Sequence, residues 1–117
     1  MTRLIAEFCQ NHNGDYSLLQ EMVHSAAEAG ATYGKIQTIF SKDLTKRRRF
    51  ESNEKEDGSL YRPYGPEYDR LKKLELSWDS HERFIEECER YGLKPMTTVF
   101  TKRDVKRLLS MNWAAMK

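Results

Sequence analysis

The chain has 117 residues, so it is one domain at most. Its 38% apolar and 32% charged residues suit a soluble globule rather than a membrane or disordered chain. A net charge of +2 is too small to argue for nucleic acid by itself, and no apolar run approaches a membrane span.

The opening segment, residues 3–9, is short and mostly apolar and reads as a buried strand. Asn13-Gly14-Asp15 is turn chemistry. A helix follows at once, with Leu19, Met22, Val23, Ala26 and Ala29 on one face and Gly30 as its stop. Residues 32–38 are the second strand. Residues 39–67 form a long polar connection that holds a basic run, Lys-Arg-Arg-Arg at 46–49, and a cluster of Tyr61, Pro63, Tyr64, Pro66 and Tyr68. Loops this long inside a compact domain are uncommon and usually functional or mobile. A short helix is predicted over 67–74. Ser77 caps the next helix, whose face is His81, Phe84, Ile85, Cys88 and Tyr91, and Gly92 ends it. Residues 94–100 are a third strand. Thr101 with Asp104 resembles a capping box, and Val105, Leu108 and Leu109 supply the apolar face of the following helix. Residues 113–117 begin a fourth strand.

Strands alternating with helices argue for an α/β fold with a parallel sheet. A closed barrel of this type needs about 250 residues, so the chain is expected to be the front part of a larger domain: three βα units and the start of strand four. Cys9 and Cys88 have no metal-ligand spacing and no disulfide framework. They read as buried thiols in a reducing compartment. With no signal-peptide pattern at the start, the cytoplasm is the expected location.

Strand residues alternate faces, which sharpens the site. Ile5, Glu7 and Cys9 share a face; so do Tyr33, Lys35 and Gln37; so do Met96, Thr98 and Phe100; so do Ala115 and Lys117. Each predicted strand thus sets a polar residue near its C-terminal end: Glu7, Lys35 with Gln37, Thr98 and Lys117. That end is where α/β sheets and barrels bind ligands. Glu7 is a carboxylate inside an apolar strand, and such charges are rarely buried unless paired or functional. Two lysines and a threonine suit an anion carrying carboxylate or phosphate. Singly, each could be a solvated edge residue; repetition on four strands argues for a site.

The residues also carry a resemblance. Ile-Ala-Glu-Phe-Cys-Gln-Asn-His-Asn-Gly-Asp at 5–15 resembles the opening motif of the sialic acid synthase family. Ala-Ala-Glu-Ala-Gly-Ala at 26–31, Lys-Ile-Gln-Thr at 35–38 and Tyr-Asp-Arg-Leu-Lys-Lys-Leu-Glu-Leu-Ser-Trp at 68–78 are similar to its next segments. Thr-Thr-Val-Phe at 97–100 and Ala-Ala-Met-Lys at 114–117 are similar to the two after that. The resemblance implies a (β/α)8 barrel that condenses phosphoenolpyruvate with N-acetylmannosamine or a related amino sugar and releases phosphate. It implies that Lys35, Thr98 and Lys117 hold phosphoenolpyruvate, that Glu7 is the acid/base carboxylate and that Gln37 contacts the sugar. Asn11 and His12, at the mouth, are possible site-lining residues. A divalent metal, manganese or magnesium, is implied for a full-length parent, with ligands outside this chain; so is a C-terminal sugar-binding domain. A homo-oligomer is expected separately, because the sheet edge at the fourth strand is left uncovered. Phe8-Cys9 departs from the family's usual Ile-Gly, and Val99 stands where a proline is common. His24 and His81, on helices, read as surface or packing residues.

Two other readings remain at this point. One is a non-catalytic fragment or assembly piece. The other is a nucleic-acid module using residues 46–49, although Glu51, Glu54, Glu56 and Asp57 offset that charge.

Overall fold

In the computed structural model, which describes residues 1–45, 50 and 63–117, the chain alternates strands and helices. The elements in order are β1 (Ile5–Cys9), α1 (Tyr16–Glu28), β2 (Tyr33–Thr38), α2 (Ser41–Leu44), α3 (Tyr64–Lys72), α4 (Trp78–Arg90), β3 (Lys94–Val99), α5 (Lys102–Leu109) and β4 (Ala115–Met116). The four strands form one sheet in the order β1-β2-β3-β4, every neighbouring pair parallel. This is the parallel α/β arrangement that the alternating pattern predicts.

Local chemistry starts each helix. Asp15 sits in extended backbone and its carboxylate accepts from the amides of Ser17 and Leu18, so α1 begins there. Ser77 does the same for α4 through the amide of Ser80. Gly14, at φ +75°, leads into α1, and a Cβ added there would lie 2.2 Å from the carbonyl oxygen of Lys73. Only glycine fits that close approach of two turns.

One face of the sheet carries the core. Phe8 of β1, Ile36 of β2, Leu19 and Val23 of α1, and Phe84 and Cys88 of α4 pack together and are buried. Phe84 meets Phe8 edge-on with ring centroids 6.2 Å apart and lies 6.0 Å from the Trp113 ring. Gly34 sits where a Cβ would press on Phe8 at 3.0 Å, so the closeness of β2 to this cluster depends on its missing side chain. Burial pushes the Cys88 thiol up to about 12, an inert packing thiol. Both cysteines are free.

A polar chain crosses the same layer. His81, fully buried, donates from Nδ1 to the Ser77 carbonyl at 2.7 Å. A carbonyl cannot donate, so Nε2 is left as an acceptor for the Thr38 hydroxyl at 3.1 Å. That hydroxyl oxygen in turn accepts from Thr97 at 2.8 Å. His81 is therefore a packing residue, as its helix position predicts. His24 is half-buried and bonds Glu87 at 2.8 Å.

The structure corrects several expectations. The connection after β2 is not wholly irregular: α2 forms within it, and Ile39, Ser41 and Thr45 are buried. The next helix begins at Tyr64 rather than residue 67, because Pro63 presets the backbone that enters it. On α5, Leu108 is buried but Val105 and Leu109 are exposed, and Asp104 is buried in their place. Asp104 is tolerated there because it accepts from the Thr101 hydroxyl at 2.9 Å and lies beside Arg103. The predicted capping box is thus a side-chain pair without the side-chain cap on a backbone amide. Tyr91 is exposed, and its ring lies tilted against His24 with centroids 4.0 Å apart. The basic run at 46–49 and Tyr61 lie outside the described residues.

Candidate functional site

The other face of the sheet is where the polar residues gather. Register places Glu7 opposite Lys35, Lys35 opposite Met96 and Met96 opposite Ala115. One step nearer the C-terminal ends, Gln37 lies opposite Thr98. Lys117 continues that row: its amide donates to the Thr97 carbonyl at 2.9 Å and its carbonyl accepts from the Val99 amide at 3.0 Å, which sets it beside Thr98. Gln37, Thr98 and Lys117 therefore stand on adjacent strands, about 4.8 Å apart in backbone spacing. Glu7 and Lys35 lie one row behind.

Glu7 and Lys35 are brought into direct contact. Lys35 Nζ donates to Glu7 Oε2, and the lysine is buried although it lies on the open face. Glu7 Oε1 accepts from the Cys9 amide at 3.0 Å. Partial burial works to raise the Glu7 pKa, but the Lys35 ammonium and the Cys9 amide together outweigh it and hold the carboxyl below its ordinary value. Glu7 is thus a carboxylate at neutral pH. Cys9 beside it is pushed up, by burial first and then by the Glu7 charge, so it stays a thiol.

The strict alternation expected of β1 fails at its end. Register slips between Glu7 and Cys9, and Cys9 has φ +51°. Cys9 then pairs with Ile36, so the next residue, Gln10, comes level with Gln37. Gln10 Nε2 donates to Gln37 Oε1 at 3.0 Å. Sequence alternation gives no sign of this contact, because without the bulge residue 10 belongs to the helix-covered face.

The mouth residues differ from one another. Asn11 is exposed in the turn after β1, its amide donating to the Phe8 carbonyl at 2.9 Å. His12 is buried, with Nδ1 accepting from the Gly14 amide at 2.9 Å, so it holds the turn closed. Glu75 is another residue that sequence reasoning does not single out. Its Oε1 accepts from both the amide and the hydroxyl of Ser41 at 2.7 Å, which caps α2 from a distant turn. Asp43 of α2 pairs with Arg103 at the start of α5, so the ends after β2 and β3 are tied together.

Among the described residues no group of three or more His, Cys, Asp or Glu side chains could hold a metal ion. His12 and His81 are buried and each bonds its own local turn or helix. The described residues therefore do not fit a divalent metal. Among them, too, no helix is long and apolar enough to cross a membrane.

Both buried histidines bear on pH. Burial holds His12 and His81 below their ordinary value of 6.5, with the His81 charge adding to the effect at His12. The unfolded chain therefore binds more protons just below that value, and stability falls as pH drops through it. Urea titrations should show a lower midpoint at pH 5 than at pH 7, with a smaller difference in His81→Gln. A midpoint unchanged over that range would show that neither histidine is buried neutral.

The profile of the NeuB family matches residues 22–117. The N,N'-diacetyllegionaminic acid synthase of Legionella pneumophila is 33% identical over 118 residues, covering 97% of this chain and 32% of that protein. The pseudaminic acid synthase of Helicobacter pylori is 27% identical over 115 residues, covering 94% of this chain and 32% of that protein. The crystal structure of N-acetylneuraminic acid synthetase from Leptospira borgpetersenii, in complex with citrate, superposes with a TM-score of 0.75 at 22% identity. That match covers 97% of this chain and 34% of that one. The chain spans about a third of the length of the relatives it matches.

Proposed function

This chain belongs to the NeuB family, and from that premise we propose that it is the N-terminal part of a nonulosonic acid synthase, the first βα units of a (β/α)8 barrel. The proposed parent condenses phosphoenolpyruvate with N-acetylmannosamine or a related amino sugar and releases phosphate. One observation carries the reading: Glu7, Lys35, Gln37, Thr98 and Lys117 come from four parallel strands to one face, in two adjacent rows near the C-terminal ends. Relatives that are named as synthases of different sugar acids support the class.

The chemistry is assigned to these side chains as follows. Lys35, Thr98 and Lys117 hold the carboxylate and phosphate of phosphoenolpyruvate, so that its C3 faces the aldehyde carbon of the sugar. Gln37 positions the sugar. As the C2–C3 π pair forms the C–C bond, the aldehyde π pair moves to its oxygen, which takes up a proton, and positive charge develops at C2, where water adds and loses its protons as phosphate leaves. Glu7 is ionised at neutral pH, so its part is to stabilise that charge or to take a proton from the attacking water. Lys35 keeps it ionised until then. The divalent metal, manganese or magnesium, is proposed for the parent with ligands outside the described residues, and no step is assigned to it here. A homo-oligomer in the cytoplasm completes the reading, in keeping with two free cysteines.

The test compares two polypeptides with manganese, phosphoenolpyruvate and N-acetylmannosamine, reading phosphate release. A parent protein of the relatives' length should release phosphate only when an amino-sugar aldehyde is present. The 117-residue chain by itself should release none above background, since its described residues hold no metal cluster. Release by the parent that ignores every hexosamine-derived aldehyde would refute the assignment, and turnover by the isolated chain would refute the need for the remaining residues.

A further inference from the structure

We propose that Gln10 is a positioning residue that fixes which end of the Gln37 amide faces the substrate, so that the site recognises an acceptor oxygen of the sugar at that point. The proposal deepens the synthase reading and rests on its assignment of Gln37 to the sugar.

Two independent features place Gln10. The first is backbone: the slip between Glu7 and Cys9, with Cys9 at φ +51°, moves the following residue onto the open face. A non-glycine residue at such φ is strained, and here the Glu7 carboxylate braces it through the Cys9 amide. The second is the side chain: Gln10 Nε2 donates to Gln37 Oε1 at 3.0 Å. Both residues are half-buried.

A primary amide has one acceptor oxygen and one donor nitrogen with two hydrogens. With the Gln37 oxygen turned to Gln10, its N–H groups are what it offers to a substrate. Those hydrogens pair with an acceptor-only oxygen such as a carbonyl, whereas a hydroxyl, which also donates, tolerates either end of the amide. Sites that hydrogen-bond a substrate discriminate strongly, because a mismatch leaves a partly buried polar group unpaired. Gln37 alone does not determine this preference, since a free amide turns either way. In the structure it is the Gln10 nitrogen that takes up the Gln37 oxygen.

The test uses the parent protein with Gln10→Ala, Gln10→Glu, Gln37→Ala and the double variant Gln10→Ala/Gln37→Ala, reading KM for sugar and for phosphoenolpyruvate separately. Glutamate has the size of glutamine, but its carboxylate only accepts, so it pairs with the Gln37 nitrogen and turns the oxygen to the substrate. Gln10→Glu is expected to raise the sugar KM about tenfold or more, and further than Gln10→Ala does. Gln10→Ala should add no loss in the Gln37→Ala background, as expected for residues acting in one contact. A mere packing role predicts the reverse: the isosteric Gln10→Glu milder than Gln10→Ala, and losses that multiply in the double variant. Either result overturns the proposal, as does a Gln10→Glu effect confined to the phosphoenolpyruvate KM, which would be charge alone. A wild-type parent without amino-sugar-dependent turnover overturns the synthase reading itself, an outcome distinct from these.

Discussion

Lys35→Met in the parent protein is expected to raise the KM for phosphoenolpyruvate at least about tenfold while leaving the sugar KM little changed. A charge-assisted contact to an anion contributes roughly 1.5–3 kcal/mol, and each 1.4 kcal/mol is about tenfold in affinity. The structure adds a second consequence. Lys35 is buried and paired with Glu7, so methionine would fill the space but leave the carboxylate without its cation. Lys35 is among the groups that hold the Glu7 carboxyl below its ordinary value; without it that pKa rises. The acid limb of kcat/KM should therefore move to higher pH, because Glu7 would lose its charge earlier as pH falls. An unchanged KM for phosphoenolpyruvate, with an unmoved acid limb, would remove Lys35 from the anion site.

Phe84→Ala should destabilise the chain by about 3–5 kcal/mol, the usual loss for a large aromatic truncated in a core. Phe84 is fully buried and meets both Phe8 of β1 and Trp113 just before β4. Its removal opens a cavity between the helix layer and opposite ends of the sheet. Small domains hold only about 5–15 kcal/mol in total, so the variant would sit close to unfolding. In urea the midpoint should drop by 1 M or more, given slopes of about 1–3 kcal/mol per M. A drop below a few tenths of a molar would mean that α4 does not pack on the sheet through this face. The two substitutions also separate: Phe84 lies behind the sheet and Lys35 in front of it.

The element order and the parallel sheet were legible in the chain because each rests on local signals. Asp15 and Ser77 cap their helices, Gly30 and Gly92 take positive φ at the helix ends, and the apolar spacing of α1 and α4 matches their buried faces except at Ala29 and Tyr91, which are exposed at the helix ends. Strand alternation likewise put Glu7, Lys35, Gln37, Thr98 and Lys117 on one face, since the period of two needs no knowledge of neighbours.

What sequence alone did not contain was pairing between distant residues. Nothing local to Glu7 says that Lys35, 28 residues on, will neutralise it. Nothing near Glu75 says that it caps Ser41 from 34 residues away. The burial of Asp104 in place of Val105 and Leu109 depends on which side of α5 meets the sheet, and helical period alone leaves that rotation open. The slip at Cys9 is decided by pairing with β2, where the register jumps so that Cys9 meets Ile36. The amino-acid order thus determined the fold class and the residues of the open face. Tertiary structure decided the charge state of Glu7, the partners of these residues and the place of Gln10, because those follow from through-space contacts that no periodicity encodes.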